Sequence, residues 1–231
     1  MGGTKSALRY FTRTEAVLWC SSVLFISLAF AGFDRENYLS LCASLLGVTS
    51  LIFCAKGNPA GQLMMVLFSL LYGYISYGFA YYGEMLTYLG MTAPMAAFAF
   101  ASWFRNPYKG RRWEVKVNRI GLGETAAMLL LSVPVTVLFY FVLKHFGTAN
   151  ILPSTLSVAT SFVAVYLTYR RSCYFALAYA LNDLVLVLLW GLASLEDSSY
   201  ISVLACFAVF FVNDLYGFYR WLKMERSQAE L

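Results

Sequence analysis

Long apolar runs separated by short polar breaks dominate the chain, and eight runs can be drawn, at about 16–33, 38–55, 59–82, 84–104, 122–143, 151–169, 172–195 and 199–222. Each is close to the roughly 20 residues that an α-helix needs to cross the hydrocarbon of a bilayer. A transmembrane β-barrel would instead alternate in segments of about ten residues, and the runs show no such alternation. The pattern therefore predicts an all-α polytopic membrane protein of eight spans.

The breaks carry the orientation. Lys5, Arg9 and Arg13 precede the first run, Lys56 lies between the second and third, and Arg105, Lys109, Arg111, Arg112, Lys116 and Arg119 lie between the fourth and fifth. Arg170 and Arg171 follow the sixth, and Arg220, Lys223 and Arg226 follow the eighth, so that of 17 Lys and Arg only Arg35 and Lys144 fall on the other side. By the positive-inside rule both termini of this multi-pass membrane protein are cytoplasmic. Composition agrees: 60% of residues are hydrophobic and 13% charged, against about 25% charged in soluble domains. The net charge of +5 sits in these loops and reads as attraction to anionic headgroups, with no nucleic-acid partner. Ala29-Phe30-Ala31 resembles a signal-peptide cleavage site, but the run before it is long and further spans follow at once, so an uncleaved first helix is expected.

The exceptions to the apolar pattern point to function. Asn182 and Asp183 lie in the middle of the seventh run, and Asn213 and Asp214 in the eighth. A carboxylate at a helix centre costs about 2.5 to 3.5 kcal/mol on insertion scales, so such residues normally face a bundle interior or a cavity. At 100° per residue, Tyr179, Asp183 and Trp190 share one face of helix 7. Asp214 lies near enough to the cytoplasmic end for an ion pair with Arg220 or Arg171, and Asp183 has no such neighbour in sequence. In helix 3, Ser69, Gly73, Ser76 and Ala80 form a small-residue stripe that suits close helix contact, within the subunit or in a homo-oligomer. Tyr74, Tyr77 and Tyr81 form a second stripe, divided between cavity lining and an interfacial belt. Gly90 and Pro94 predict a kinked or locally unwound helix 4. The five cysteines (Cys20, Cys42, Cys54, Cys173, Cys206) show no metal spacing, the lone His145 is no metal site, and no HExxH or Ser/His pair is present. Neither cofactor nor enzyme is implied.

The long basic linker divides the chain. We expect an N-terminal tail and extra helix over 1–37, a first three-helix repeat over 38–105, a linker and inverting helix over 106–150, a second three-helix repeat over 151–222, and a tail over 223–231. Each triplet starts with a Ser-rich helix and ends in Trp near Arg (Trp103 and Arg105; Arg220 and Trp221). Helices 2 and 6 are four spans apart, so the repeats would run parallel. In transporters built this way the site lies between the repeats near the midplane.

The run Val212-Asn213-Asp214-Leu215-Tyr216-Gly217-Phe218-Tyr219-Arg220-Trp221 resembles the end of the PnuC-type vitamin transporters. Tyr82-Gly83-Glu84-Met85-Leu86, Pro94-Met95, Trp103 and Asn182 also fit that family in order. The resemblance implies a SWEET-like fold of two parallel three-helix bundles joined by an inverting helix. It also implies facilitated uptake of nicotinamide riboside or a related nucleoside-like vitamin, made one-way by a cytosolic kinase that phosphorylates it. Nicotinamide riboside members have tryptophans shortly before the helix 7 asparagine, where this chain has Phe175 and Ala178, and an Asn and a Gln in helix 4, where it has Tyr88 and Ala96. Thiamine, riboflavin and deoxynucleosides therefore stay open as substrates, as does proton coupling through the intramembrane acids. A membrane-embedded enzyme and a structural subunit are the weaker alternatives. Candidate substrate contacts are Asn182, Asp183, Asn213 and Asp214, with Tyr77, Tyr88, Tyr179 and Trp190 stacking on or framing a ring.

Overall fold

A computed structural model describes residues 10–148 and 150–230; Lys5 and Arg9 of the N-terminal basic group lie outside the described residues. Eight helices are long and apolar enough to cross a membrane. They are α1 (Arg13–Phe33), α2 (Tyr38–Ala55), α3 (Pro59–Gly78), α4 (Tyr82–Arg105), α5 (Leu122–His145), α6 (Ile151–Tyr169), α7 (Phe175–Ser194) and α8 (Ile201–Ala229), the last preceded by a 3₁₀ turn at Ser198–Tyr200.

Two ends differ from the hydropathy. α3 stops at Gly78, not 82, because Ala80 takes a left-handed conformation (φ 58°) and Tyr81 N–H returns to the Ser76 carbonyl. An alanine gives no warning of such a break. α8 continues beyond 222 to Ala229, because apolar content marks the exit from hydrocarbon and not the end of a helix. Its extension docks on the linker: Gln228 accepts from Val117 N–H and donates to the Val115 carbonyl, and Glu225 pairs with Arg119 at 2.7 Å. The linker also holds a small hairpin the sequence did not announce, β1 (Pro107–Tyr108) against β2 (Arg111–Val115). Lys109 and Gly110 both have positive φ, as a tight twisted hairpin turn needs.

In α4 the expected distortion is a π turn at Tyr88–Thr92, where Ala93 N–H bonds the Tyr88 carbonyl five residues back. Pro94 follows directly and has no N–H for the Gly90 carbonyl, so the ordinary ladder cannot pass this point.

α1 and α5 are peripheral, each with about a tenth of its span buried (11%). α5 packs on α6, and α1 on α2 and α8. Within the triplets, α3 packs against α2 and α4, and α7 against α6 and α8; between them, α2 meets α8 and α4 meets α6. The first helix of each triplet thus touches the last helix of the other. The small-residue stripe of α3 serves such internal packing, since a Cβ on Gly73 would lie 2.5 Å from Leu89 Cγ of α4.

The two triplets repeat a local solution. α2 ends with Gly57 left-handed (φ 67°) and Asn58 N–H bonded to the Phe53 carbonyl; α6 ends with Arg171 left-handed (φ 59°) and Ser172 N–H bonded to the Leu167 carbonyl. Both are Schellman-type turns, which satisfy end carbonyls the helix cannot reach. A buried tryptophan then adds a second donor to a carbonyl of each turn that already accepts a backbone N–H, from Gly57 and from Arg171. Trp221 Nε1 of α8 donates to the Cys54 carbonyl of α2 at 2.8 Å, and Trp103 Nε1 of α4 to the Thr168 carbonyl of α6 at 2.9 Å. The two indoles meet with centroids 5.1 Å apart. The linker completes the arrangement, as Val115 N–H donates to the Gly57 carbonyl and Asn118 N–H to the Arg171 carbonyl.

α1 is fastened by its first turn. Glu15 accepts from Thr12 N–H in a capping box, and the same carboxylate pairs with Lys56 at 3.0 Å and Arg220 at 3.6 Å. Trp221→Phe should lower stability by about 0.5 to 1.5 kcal/mol, because the buried Cys54 carbonyl loses the indole and keeps only the Gly57 N–H. Thermal unfolding in detergent, compared with Trp103→Phe, tests this; the ring contact predicts that the double variant departs from additivity. Lys56→Ala should cost about 3 to 5 kcal/mol by stranding much of the Glu15 charge, read in the same melt.

Candidate functional site

Consecutive residues of a helix point about 100° apart, and that fact sorts the four polar candidates. α7 lies between α6 and α8. Asn182 faces α6, its Oδ1 accepting from Thr160 at 2.8 Å and Ser161 at 3.0 Å. Asp183 faces α8, within electrostatic reach of Asp214. The same 100° step acts on α8: Asn213 points away from Asp183 and Asp214 to α1, where Nδ2 donates to Ser22 Oγ at 3.0 Å, and it also donates to the Val209 carbonyl.

The expected ion pair of Asp214 with Arg220 or Arg171 does not form. Arg220 is drawn to Glu15, and Arg171 donates to Ser102 Oγ and the Lys116 carbonyl. Asp183 and Asp214 are 3% and 5% exposed, and neither makes an ion pair among the described residues. Tyr179 and Cys54 lie within electrostatic reach of Asp214, and Tyr88 and Cys206 of Asp183.

A third interior carboxyl was hidden by its position. Glu84 stands at the very start of the fourth apolar run, beside a polar break, yet it is 1% exposed and its Oε1 accepts from Ser157 Oγ of α6 at 2.8 Å. The signal that could have found it is spacing: Glu84 and Tyr88 share a face at i, i+4.

The aromatic candidates separate sharply. Tyr88 is buried, its ring edge-on to Tyr72 at 4.4 Å, and Tyr72 accepts from Trp190 Nε1 at 2.8 Å. Trp190 is enclosed by Tyr72, Phe79, Tyr81 and Tyr200, so Tyr81, half assigned to an interfacial belt, is a core residue. Tyr77 is 59% exposed on the outside of α3 and stands apart from the interior group; Tyr74 faces outward as well. Phe68, Phe207 and Phe210, which the sequence reading left out of the substrate list, complete the aromatic wall around Tyr72. Against α2, Phe210 fits only because position 47 is glycine: a Cβ there would lie 2.3 Å from its ring.

The interior therefore offers an amide, two neighbouring carboxyls and several aromatic faces, a set suited to a polar or cationic ring through hydrogen bonds and cation-π contact. Cys173, between α6 and α7, gives its S–H to Glu225 at 3.3 Å, and burial pushes its thiol up to about 12, with that carboxylate adding to the effect. No group of three or more His, Cys, Asp or Glu able to hold a metal occurs among the described residues. Two outcomes follow. Cys173 in the folded protein should label with maleimide far more slowly at pH 7.5 than after denaturation. Ser157→Ala should lower the melting temperature, at a cost of about 1 to 3 kcal/mol, by removing the described hydrogen-bond donor to Glu84.

The model of the nicotinamide mononucleotide transporter family matches residues 37–223. A "Nicotinamide riboside transporter PnuC" of Neisseria mucosa is 27% identical over 226 residues, covering 95% of this chain and 84% of that protein. The protein of the same name from Haemophilus influenzae is 22% identical over 194 residues, covering 82% and 81%. Among solved structures, one described as the vitamin B3 transporter PnuC superimposes with a TM-score of 0.83 at 24% identity over 94% of both chains, a likeness of fold. Eight spans, an interior polar group and a match over the greater part of the sequence agree: the chain belongs to the nicotinamide mononucleotide transporter family.

Proposed function

We propose that the protein carries nicotinamide riboside, or a related nucleoside-like vitamin, across the bacterial inner membrane by facilitated diffusion. The observation that carries this reading is the buried group of Asn182, Asp183 and Asp214 in a bundle of this family. Two curated relatives are named as nicotinamide riboside transporters, which supports the substrate class. Nicotinamide riboside joins a pyridinium ring, a carboxamide and a ribose; the carboxyl pair complements the ring charge, Asn182 the amide or hydroxyls, and Tyr88, Tyr179 and Trp190 the ring faces. Tyr77 has no place in that arrangement, and Asn213 acts on it only through α1 and α8.

The working cycle rests on the repeats. We read 38–105 and 151–222 as parallel three-helix repeats in a SWEET-like arrangement, 106–150 as linker and inverting helix, 1–37 as the tail with an added helix and 223–231 as the tail. The matching turns at Gly57 and Arg171 and the reciprocal Trp103 and Trp221 bonds support it. The positive residues favour cytoplasmic termini. Rocking of one triplet against the other around the polar group would expose it to each side in turn, and phosphorylation of the vitamin by a cytosolic kinase would keep it inside.

Equilibrium binding by calorimetry tests the substrate, with purified protein against nicotinamide riboside, thiamine, riboflavin and deoxynucleosides. Preference for nicotinamide riboside, weakened at least tenfold by Asn182→Ala in a protein that still melts cooperatively, is the expected result. Preference for another compound would move the chain to a different branch of the same fold, and binding of none would remove the transport reading for this panel.

A further inference from the structure

The end of the bundle that carries the linker holds a cavity of about 380 Å³, lined by none of the interior candidates. Its size falls in the range of small-molecule sites, about 300 to 1,000 Å³. Lys56 at the end of α2, Trp113 and Glu114 of β2, and Arg220 and Lys223 of α8 form its walls. Hairpin and helix close together on Gly57, where a Cβ would lie 3.1 Å from Met224 Cε and 3.3 Å from Val115 Cγ1. The charges around this cavity do not balance. Lys56 and Arg220 share one carboxylate, Glu15, at 3.0 and 3.6 Å, and Glu114 is met by Arg111 at 3.5 Å and by Gln228 Nε2 at 3.2 Å. Lys223 makes no ion pair among the described residues, and Arg220 Nε is buried with no hydrogen-bond partner among them. Four cations thus meet two carboxylates, which leaves a surplus of two positive charges. Trp113 adds an apolar face, its side chain 56% exposed where it lines the cavity.

We propose that this cavity binds a nucleoside monophosphate, its phosphate between Arg220 and Lys223 and its ring against Trp113. A phosphomonoester carries a charge of about −1.5 to −2 at pH 7, which matches the surplus. Arg220 offers a planar fork of donors and Lys223 a point charge, both suited to phosphate oxygens. An exposed indole stacks on an aromatic ring and attracts a cationic one. The phosphate site stands on this geometry; the choice of nucleoside rests on the substrate reading above, in which the vitamin is phosphorylated after entry. On that reading the linker end faces the side where the phosphorylated product forms, and the cavity recognises the group that the transported form lacks. The interior has the opposite preference, since Asp183 and Asp214, without an ion pair among the described residues, repel a phosphate. The two sites then sort the same nucleoside before and after phosphorylation.

Calorimetric titration of nicotinamide mononucleotide into the purified protein, with and without saturating nicotinamide riboside, tests the assignment. About one nucleotide per chain is expected, with an affinity that the riboside changes by less than about twofold. Lys223→Ala should weaken the nucleotide at least tenfold and Trp113→Ala at least fivefold, with riboside binding unchanged. Both side chains are exposed, so neither change opens the core. Displacement of the nucleotide by the riboside would put both in one interior site and overturn the proposal. Absence of nucleotide binding, or binding indifferent to both variants, overturns it as well, and equal affinity for inorganic phosphate removes the ring contact and with it the nucleoside. Loss of riboside binding alone strikes the transport reading and leaves the phosphate site standing. An anionic lipid headgroup offers the same phosphate as a singly charged diester. Nucleotide affinity should therefore be alike in nanodiscs of phosphatidylcholine and of phosphatidylglycerol, and its loss in phosphatidylglycerol gives the cavity to lipid and overturns the nucleotide.

Discussion

In hydrocarbon a polar group has no water to fall back on, and its partner must come from the chain itself. That constraint accounts for more of this molecule than its apolar surface does. The ends of α2 and α6 each leave carbonyls that an intrahelical ladder cannot satisfy. Each end is closed by a left-handed residue, an indole from the opposite triplet and an amide from the linker. The indoles also touch, so both closures share one packed centre at the end of the bundle that carries the linker. What joins the two halves here is thus hydrogen bonding to backbone as much as side-chain packing.

The same constraint explains the added helix. α1 exposes most of its span, and its mostly apolar surface gives weak grounds for association where lipid tails are equally apolar. Polar contacts fix it instead: Glu15 to Lys56 and Arg220, Trp19 Nε1 to Thr49 at 3.1 Å, and Ser22 to Asn213. Glu15 thereby takes the arginine that seemed available to Asp214. The acid pair in the interior is left without a counter-charge among the described residues because of a residue almost 200 positions away in the chain.

Much of the architecture was legible because bilayer thickness imposes a length that apolar runs must meet. α2 and α6 begin and end where hydropathy placed them. Face periodicity was informative within one helix: Asp183 and Trp190, predicted to share a face, both point inward. It could not say which neighbour a face would meet. Tyr77 and Tyr88 look alike in sequence, and one faces outward while the other lies against Tyr72. Asn213 was grouped with Asp214 by adjacency, but a 100° step sends it to another helix. Glu84 was missed because a carboxylate beside a polar break looks solvated until the hydroxyl of Ser157, 73 residues along, is brought to it. The hairpin was hidden in a linker defined only by its charge.

The π turn in α4 bears on how this chain is compared with its relatives. A wide turn inserts the equivalent of one extra residue, so the faces of Tyr82–Thr87 and Ala93–Arg105 do not follow one continuous helical wheel. Tyr88 and Ala96 are eight apart, which in an unbroken helix would put them about 80° apart in bearing; across the wide turn that angle changes. A relative without the turn would present a different residue to the interior at the same alignment column. Position-by-position transfer of side-chain roles through this helix consequently needs superposed backbones, and a gapless alignment is least trustworthy at residues such as Tyr88 and Ala96 that are buried in the bundle.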